Sequence, residues 1–167
     1  PNGFQGIGTG PIAFQNGAVL NLNGFNGTDN GTSWGTLTGP ITVAAGQSGV
    51  INMPPRGTMA STLTGSGTLG FNVQFIRGEL TGNWSGFTGQ LNVGTVGTQT
   101  TGDFRLNTTT GFGTAAVNLG PGVNMFPVIN YSNSPQTFTI GALSGDATST
   151  VQGQGGVNSG RIALYSV

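Results

Sequence analysis

The sequence predicts an all-β protein: a single-stranded parallel β-helix (β-solenoid) of about seven or eight coils with almost no α-helix. Three observations predict it. Leu69, Phe71, Val73 and Phe75 alternate with Gly70, Asn72 and Gln74, the period of two that gives a strand one apolar and one polar face. An apolar–Asn–apolar step recurs, with Asn52, Asn72 and Asn92 central to Ile51–Met53, Phe71–Val73 and Leu91–Val93 and twenty residues apart. Helical spacing with capping residues is absent throughout. The competing architecture is an antiparallel β-sandwich of short strands, which shares the alternation and the glycine turns. It expects regularly spaced Asn-Gly hairpins, but Asn-Gly at Asn16, Asn23, Asn26 and Asn30 lies ahead of the regular region.

Taken in order, residues 1–17 carry Phe4, Ile7, Ile12 and Phe14 among glycines and prolines. They are expected to form an N-terminal arm or an irregular first coil, with the solenoid domain over 18–167. Leu20-Asn21-Leu22 is the first clear step, followed by a polar loop from Asn23 to Ser33. Leu37-Thr38-Gly39 then leads into Ile41-Thr42-Val43, and a Gly-Gln-Ser-Gly turn precedes Ile51-Asn52-Met53. Pro54-Pro55 should end that strand, because proline cannot donate to a ladder. Later steps stand at Val117–Leu119, Phe138–Ile140 and Ile162–Leu164. A second motif recurs as Leu37-Thr38-Gly39, Leu63-Thr64-Gly65, Leu80-Thr81-Gly82 and Leu143-Ser144-Gly145. Two recurrent motifs per coil fit a rung of two or three short strands, with glycine supplying positive φ at the corners. Equivalent residues of a parallel stack lie about 4.8 Å apart. Asn52, Asn72, Asn92 and Asn118 are therefore candidates for a hydrogen-bonded amide ladder.

Composition narrows the function. With 167 residues the chain fits one domain and can bury a core. Glycine is 33 of 167, yet apolar residues reach 35% and are periodic, so the chain is read as folded and turn-rich rather than disordered. There is no Cys, His or Lys, which removes disulfides, thiolate metal sites, the usual general base and the commonest metal ligand. No cofactor or metal is expected. Arg56, Arg77, Arg105 and Arg161 are the only cations, too few for a nucleic-acid footprint that neutralises several phosphates. No apolar run is long enough for a transmembrane helix. Pro1 is an odd translation start, and the chain reads as a processed form or an excised fragment. A neutral surface rich in Thr, Asn, Gln and Ser lacks self-repulsion, which points to an extracellular or cell-surface location.

The runs LTGSGTLGF and GNWSGFTGQLNV resemble the repeats of autotransporter-associated β-strand proteins, large bacterial surface and secreted chains. Ser85, Gly86, Phe87, Gly89, Leu91 and Val93 carry the resemblance best, and TAAVNLGPGV and FTIGALSGD resemble later coils of such repeats. The similarity covers residues 60–150 and is specific to an architecture. It implies a right-handed parallel β-helix exported to the cell surface or beyond. The translocator barrel usual in that family has no counterpart in these residues.

Candidate sites are few. Arg77 and Glu79 are two apart, as are Asp103 and Arg105, so each pair projects from one side of its strand. An acid beside an arginine could serve lyase chemistry on a polysaccharide, but a surface ion pair of at most about 1 kcal/mol explains it as well. A third carboxylate is lacking nearby, and no catalytic residue is assigned. The segment Asn26–Gly31 has one carboxylate where a calcium loop has several, and reads as a polar turn. Trp34 and Trp84 could form a sugar-stacking platform. The sequons at Asn26, Asn30, Asn83, Asn107 and Asn130 follow from composition alone.

The ends carry the strongest functional expectation. Arg161–Val167 reads as a full strand and residues 1–17 as an apolar arm, and open solenoid ends invite another chain. Phe4, Ile7, Ile12, Phe14, Ile162, Leu164, Tyr165 and Val167 are the candidate assembly contacts. The expected role is an extracellular structural subunit that self-assembles end to end into a surface or matrix filament, a homo-oligomer without enzymatic activity. The alternative is a non-catalytic glycan-binding or adhesive module of a larger secreted protein.

Overall fold

A computed structural model describes residues 9–22, 35–53, 57–74, 78–108, 110–127, 136–151 and 163–166. Its strands, in chain order, are β1 (Ile12–Phe14), β2 (Ala18–Asn21), β3 (Gly35–Leu37), β4 (Ile41–Val43), β5 (Ser48–Met53) and β6 (Gly57–Met59). They continue with β7 (Leu63–Gly65), β8 (Thr68–Val73), β9 (Gly78–Leu80), β10 (Gln90–Thr95), β11 (Gly102–Leu106) and β12 (Ala116–Leu119). The last are β13 (Val123–Pro127), β14 (Gln136–Thr139), β15 (Ala142–Gly145), β16 (Thr150–Val151) and β17 (Ala163–Ser166). Every strand pairing among the described residues is parallel. The antiparallel sandwich is thereby excluded, and the fold is a β-solenoid.

Each coil has three sides. The second side is a six-stranded sheet in the order β2-β5-β8-β10-β12-β15, and the third is β3-β6-β9-β11-β13-β16. The first side carries β1-β4-β7 at one end and β14-β17 at the other. Among the described residues six coils result, with β17 opening a further one, against the seven or eight expected. Phe138–Ile140 and Ile162–Leu164 share the apolar–x–apolar pattern of the Asn-centred steps without sharing their side of the coil. The strands at those positions, β14 and β17, pair with each other on a different side. The repeated Leu-Thr-Gly motif divides in the same way: Leu37 and Leu80 end third-side strands, Leu63 begins a first-side strand, and Leu143 lies on the second side.

The period of two works as it should. In β8, Leu69, Phe71 and Val73 are buried while Gly70 and Asn72 are only half-buried. Register then stacks like on like: Leu20, Ile51, Phe71, Val93 and Leu119 form one column on the second side. Leu37, Met59, Leu80 and Leu106 form another on the third. Ile12–Phe14 pairs in register with Ile41–Val43, so this part of residues 1–17 belongs to the first coil. Corners come so close to the coil below that a side chain cannot fit. A Cβ on Gly82 would lie 1.9 Å from the Ser61 carbonyl oxygen, and Gly65, at φ 104°, would meet that of Val43 at 2.0 Å.

Between β7 and β14 the first side is represented, among the described residues, by a single parallel bridge, Gly65 to Phe87. Trp84 fills the interior beside it. The ring is fully buried, meets Phe71 edge-on at 5.3 Å and Phe112 at 6.2 Å, and donates its Nε1–H to the Ser61 carbonyl at 3.0 Å. Trp84 is thus a core residue and no sugar platform, a correction to the sequence reading. No helix of the described residues is long and apolar enough to cross a membrane.

Trp84→Ala is expected to lower the unfolding free energy by about 3–5 kcal/mol. Trp84→Phe should fall between, keeping a ring but losing the bond to Ser61. Urea denaturation of the three proteins checks this, and an unchanged midpoint for Trp84→Ala would contradict the packing.

Candidate functional site

The outward face of the second side carries the most organised polar array. Asn52 donates its Nδ2–H to Asn21 Oδ1 at 2.6 Å, and Asn72 donates to Asn52 Oδ1 at 2.8 Å. Those three amides occupy one register column. Asn92 does not extend it. Its strand register sets Asn92 beside Gly70, while Asn72 faces Gly94, and a Cβ on Gly94 would come within 2.7 Å of Asn72 Oδ1. Asn92 Oδ1 instead accepts from Gln90 Nε2 of its own strand at 3.1 Å. A second column begins there: Asn92, Asn118 and Ser144 lie in register, and Ser144 Oγ donates to Asn118 Oδ1 at 2.9 Å.

Corner length explains the shift. From β4 to β7 the chain advances 22 residues, but the four-residue corner Ala44–Gln47 gives way to Ser66-Gly67. The second side therefore advances only 20 residues between β5 and β8. The next coil keeps a two-residue corner and advances 22, which moves Asn92 out of the column. Asn21 and Ser144 were missed as ladder members. Asn21 is 31 residues from Asn52, beyond the apparent period, and Ser144 was grouped with the Leu-Thr-Gly motif.

Among the described residues, Glu79, Asp103 and Arg105 lie on the third side. Register places Glu79 beside Arg105 and Asp103 beside Asn124, so the acid and base nearest each other across strands come from neighbouring coils. Arg77 lies outside the described residues. No group of three or more His, Cys, Asp or Glu side chains comes together among the described residues.

At the end of the second side, a shallow depression of about 270 Å³ is lined by Leu119, Leu143, Asp146, Ser149 and Val151, among others. The turn after β15 is held by Asp146, whose Oδ1 accepts from Thr148 N at 2.9 Å and Thr148 Oγ1 at 2.7 Å. Those bonds hold its carboxyl below the usual carboxylate range. Of the candidate assembly contacts, Ile12 is half-buried. Phe14 is buried in the core, its ring filling the place where a Cβ on Gly49 would sit, and is therefore not an outward contact. Leu164 and Tyr165 lie in β17, in register with Thr137 and Phe138. Phe4, Ile7, Ile162, Val167 and Trp34 lie outside the described residues.

Comparison with protein-family models, with curated proteins and with solved structures gives no match.

Asn52 both donates and accepts, so Asn52→Ala should cost about 1–3 kcal/mol, whereas Asn92→Ala should stay within about 0.5 kcal/mol. Equal losses in thermal or urea unfolding would contradict the two-column arrangement. Because the Asp146 pKa is depressed, its contribution to the turn is present above the ordinary aspartate value of 3.8 and is lost as the pH falls through the lowered one. An NMR titration following the Asp146 carboxyl and the Thr148 amide should show both changing together below that value.

Proposed function

We propose that this chain is a structural subunit of an extracellular filament or surface matrix, built by end-to-end stacking of solenoids. The observation that carries the reading is the pair of sheet edges on the second side. Among the described residues this sheet begins at β2 and finishes at β15, and a parallel edge presents N–H and C=O groups ready to pair with another strand. Three features support it. Apolar columns run from coil to coil inside, which gives stiffness along the stack. Outside, polar side chains are satisfied by one another in ladders rather than by long charged groups. The four basic and four acidic residues balance, so copies approach without net repulsion. Export to the cell surface is supported by the likeness of Ser85–Val93 to autotransporter-associated repeats. A glycan-binding role loses one of its two candidate rings, because Trp84 is enclosed in the core.

Negative-stain electron microscopy of the purified protein, with light scattering across dilution, tests the proposal. Uniform fibres are expected, with an axial repeat of about 3 nm for six coils at the interstrand spacing. Dispersed monomers at every concentration would overturn it and make a glycan array the next experiment.

A further inference from the structure

The inward apolar column of the second side ends in a glycine. Leu20, Ile51, Phe71, Val93 and Leu119 are followed by Gly145. The depression of about 270 Å³ opens at that point, over Leu119, Leu143 and Val151. The interior already fills one such vacancy. Gly49 also stands at an inward position, and the Phe14 ring of the preceding coil enters it, with Cγ 2.2 Å from where a Cβ on Gly49 would lie. At Gly145 the atoms nearest the equivalent point are Ser149 Oγ at 2.5 Å and Leu119 Cβ at 3.5 Å. No aromatic ring is among the described residues that line the depression.

The strand edge beside it is open. Ala142 and Asp146 donate their N–H groups back to the carbonyls of Ala115 and Leu119. Alternation along the strand therefore turns the N–H and C=O groups of Leu143 and Gly145 away from β12. No strand pairs with β15 on that side among the described residues. Because β17 holds the place above β14, a strand that joins β15 must come without a first-side strand before it. The described strands of a second copy do not meet that requirement. β2 is tied to β1 by residues 15–17, and β5, β8, β10 and β12 are each held between two neighbours.

We infer that β15 and the depression form a docking site for a lone extended segment of a different protein, paired in parallel and carrying a large apolar residue over Gly145. The site goes beyond the stacking proposal and does not rest on it. Strand pairing satisfies the open edge, and the inserted side chain gives specificity. An apolar cavity of about 150 Å³ accepts benzene, so one aromatic ring fits the space. Asp146 stands at the rim, one position beyond Gly145, and its carboxylate favours an amide or basic side chain there.

The probe is a capped hexapeptide with the sequence of β8, Thr68–Val73. In its own sheet β8 places Leu69 in the column of Leu143 and Phe71 in that of Gly145. Labelled peptide is titrated with the full chain and followed by fluorescence polarisation. Saturable binding is expected, weakened by about tenfold or more when the peptide carries Phe71→Ala. N-methylation at Gly70 of the peptide should abolish binding. In the chain the Thr68 N–H points to the preceding coil, and alternation turns that of Gly70 the same way, toward β15 in the complex. N-methylation at Phe71, whose N–H faces away, should leave binding in place. With benzoylphenylalanine at the Phe71 position, photo-cross-links should map to Leu119, Leu143 or Val151. Gly145→Val narrows the vacancy and should lose the peptide; should that variant not fold, the peptide series decides alone. No binding, equal binding of the Phe71→Ala peptide, or cross-links confined to β2 would overturn the site. Fibres in the electron microscope without peptide binding would overturn it and leave the stacking proposal standing.

Discussion

Parallel register between successive coils is the constraint on which the rest of this structure depends. At an interstrand distance of about 4.8 Å, every inward side chain rests on the equivalent one below, so size must be matched along a column rather than within a strand. The second side solves this with Leu20, Ile51, Phe71, Val93 and Leu119, a medium-to-large apolar residue at each of five levels, with Gly145 at the sixth. The same closeness governs the corners. Where backbone passes over backbone, as Gly82 passes over Ser61, no Cβ can be placed. The glycine content that would suggest disorder in another chain is here partly the consequence of coils stacked at van der Waals distance.

Register also explains how a chain with so few charges keeps its polar face ordered. A ladder of short amides and hydroxyls repeats at the strand spacing, so Asn52, Asn72 and Ser144 each find a partner one level away without a long flexible side chain to immobilise. The ladder is interrupted once, between Asn72 and Gly94. There the side chain that would continue it is missing, and the array resumes in the column of Asn92, Asn118 and Ser144. Polar order on this face therefore comes in two blocks, each belonging to about half of the coils.

The class of fold was legible because it rests on local alternation: Leu69, Phe71 and Val73 against Gly70 and Asn72 mark a strand with one buried face wherever the strand sits in the coil. Which side of the coil a strand occupies was not legible, because that depends on corner lengths. Ala44–Gln47 and Ser66-Gly67 turn the same corner with different numbers of residues, so a twenty-residue spacing held once and then misled at Asn92. Phe138 resembled the Asn-centred steps in its neighbours yet belongs to another side. Trp84 illustrates a different gap. An aromatic among Gly, Asn and Ser looks exposed by its neighbours, and only the break in the first side's ladder, with Phe71 and Phe112 around it, shows why a large ring is needed inside.

Direction is the last property that register confers. A parallel stack has two different ends by construction, since each strand has a neighbour from the coil before and one from the coil after. The side chains amplify the difference. The side-chain donors Asn52, Asn72, Ser144 and Thr150 all turn toward the preceding coil, whereas the backbone N–H groups of Asn16 and Gly122 reach forward to Gln47 Oε1 and Thr148 Oγ1. A symmetric dimer through either end would have to reverse the strand direction and bring like groups together. Repetition of the same parallel step is the arrangement that keeps both backbone pairing and ladder polarity.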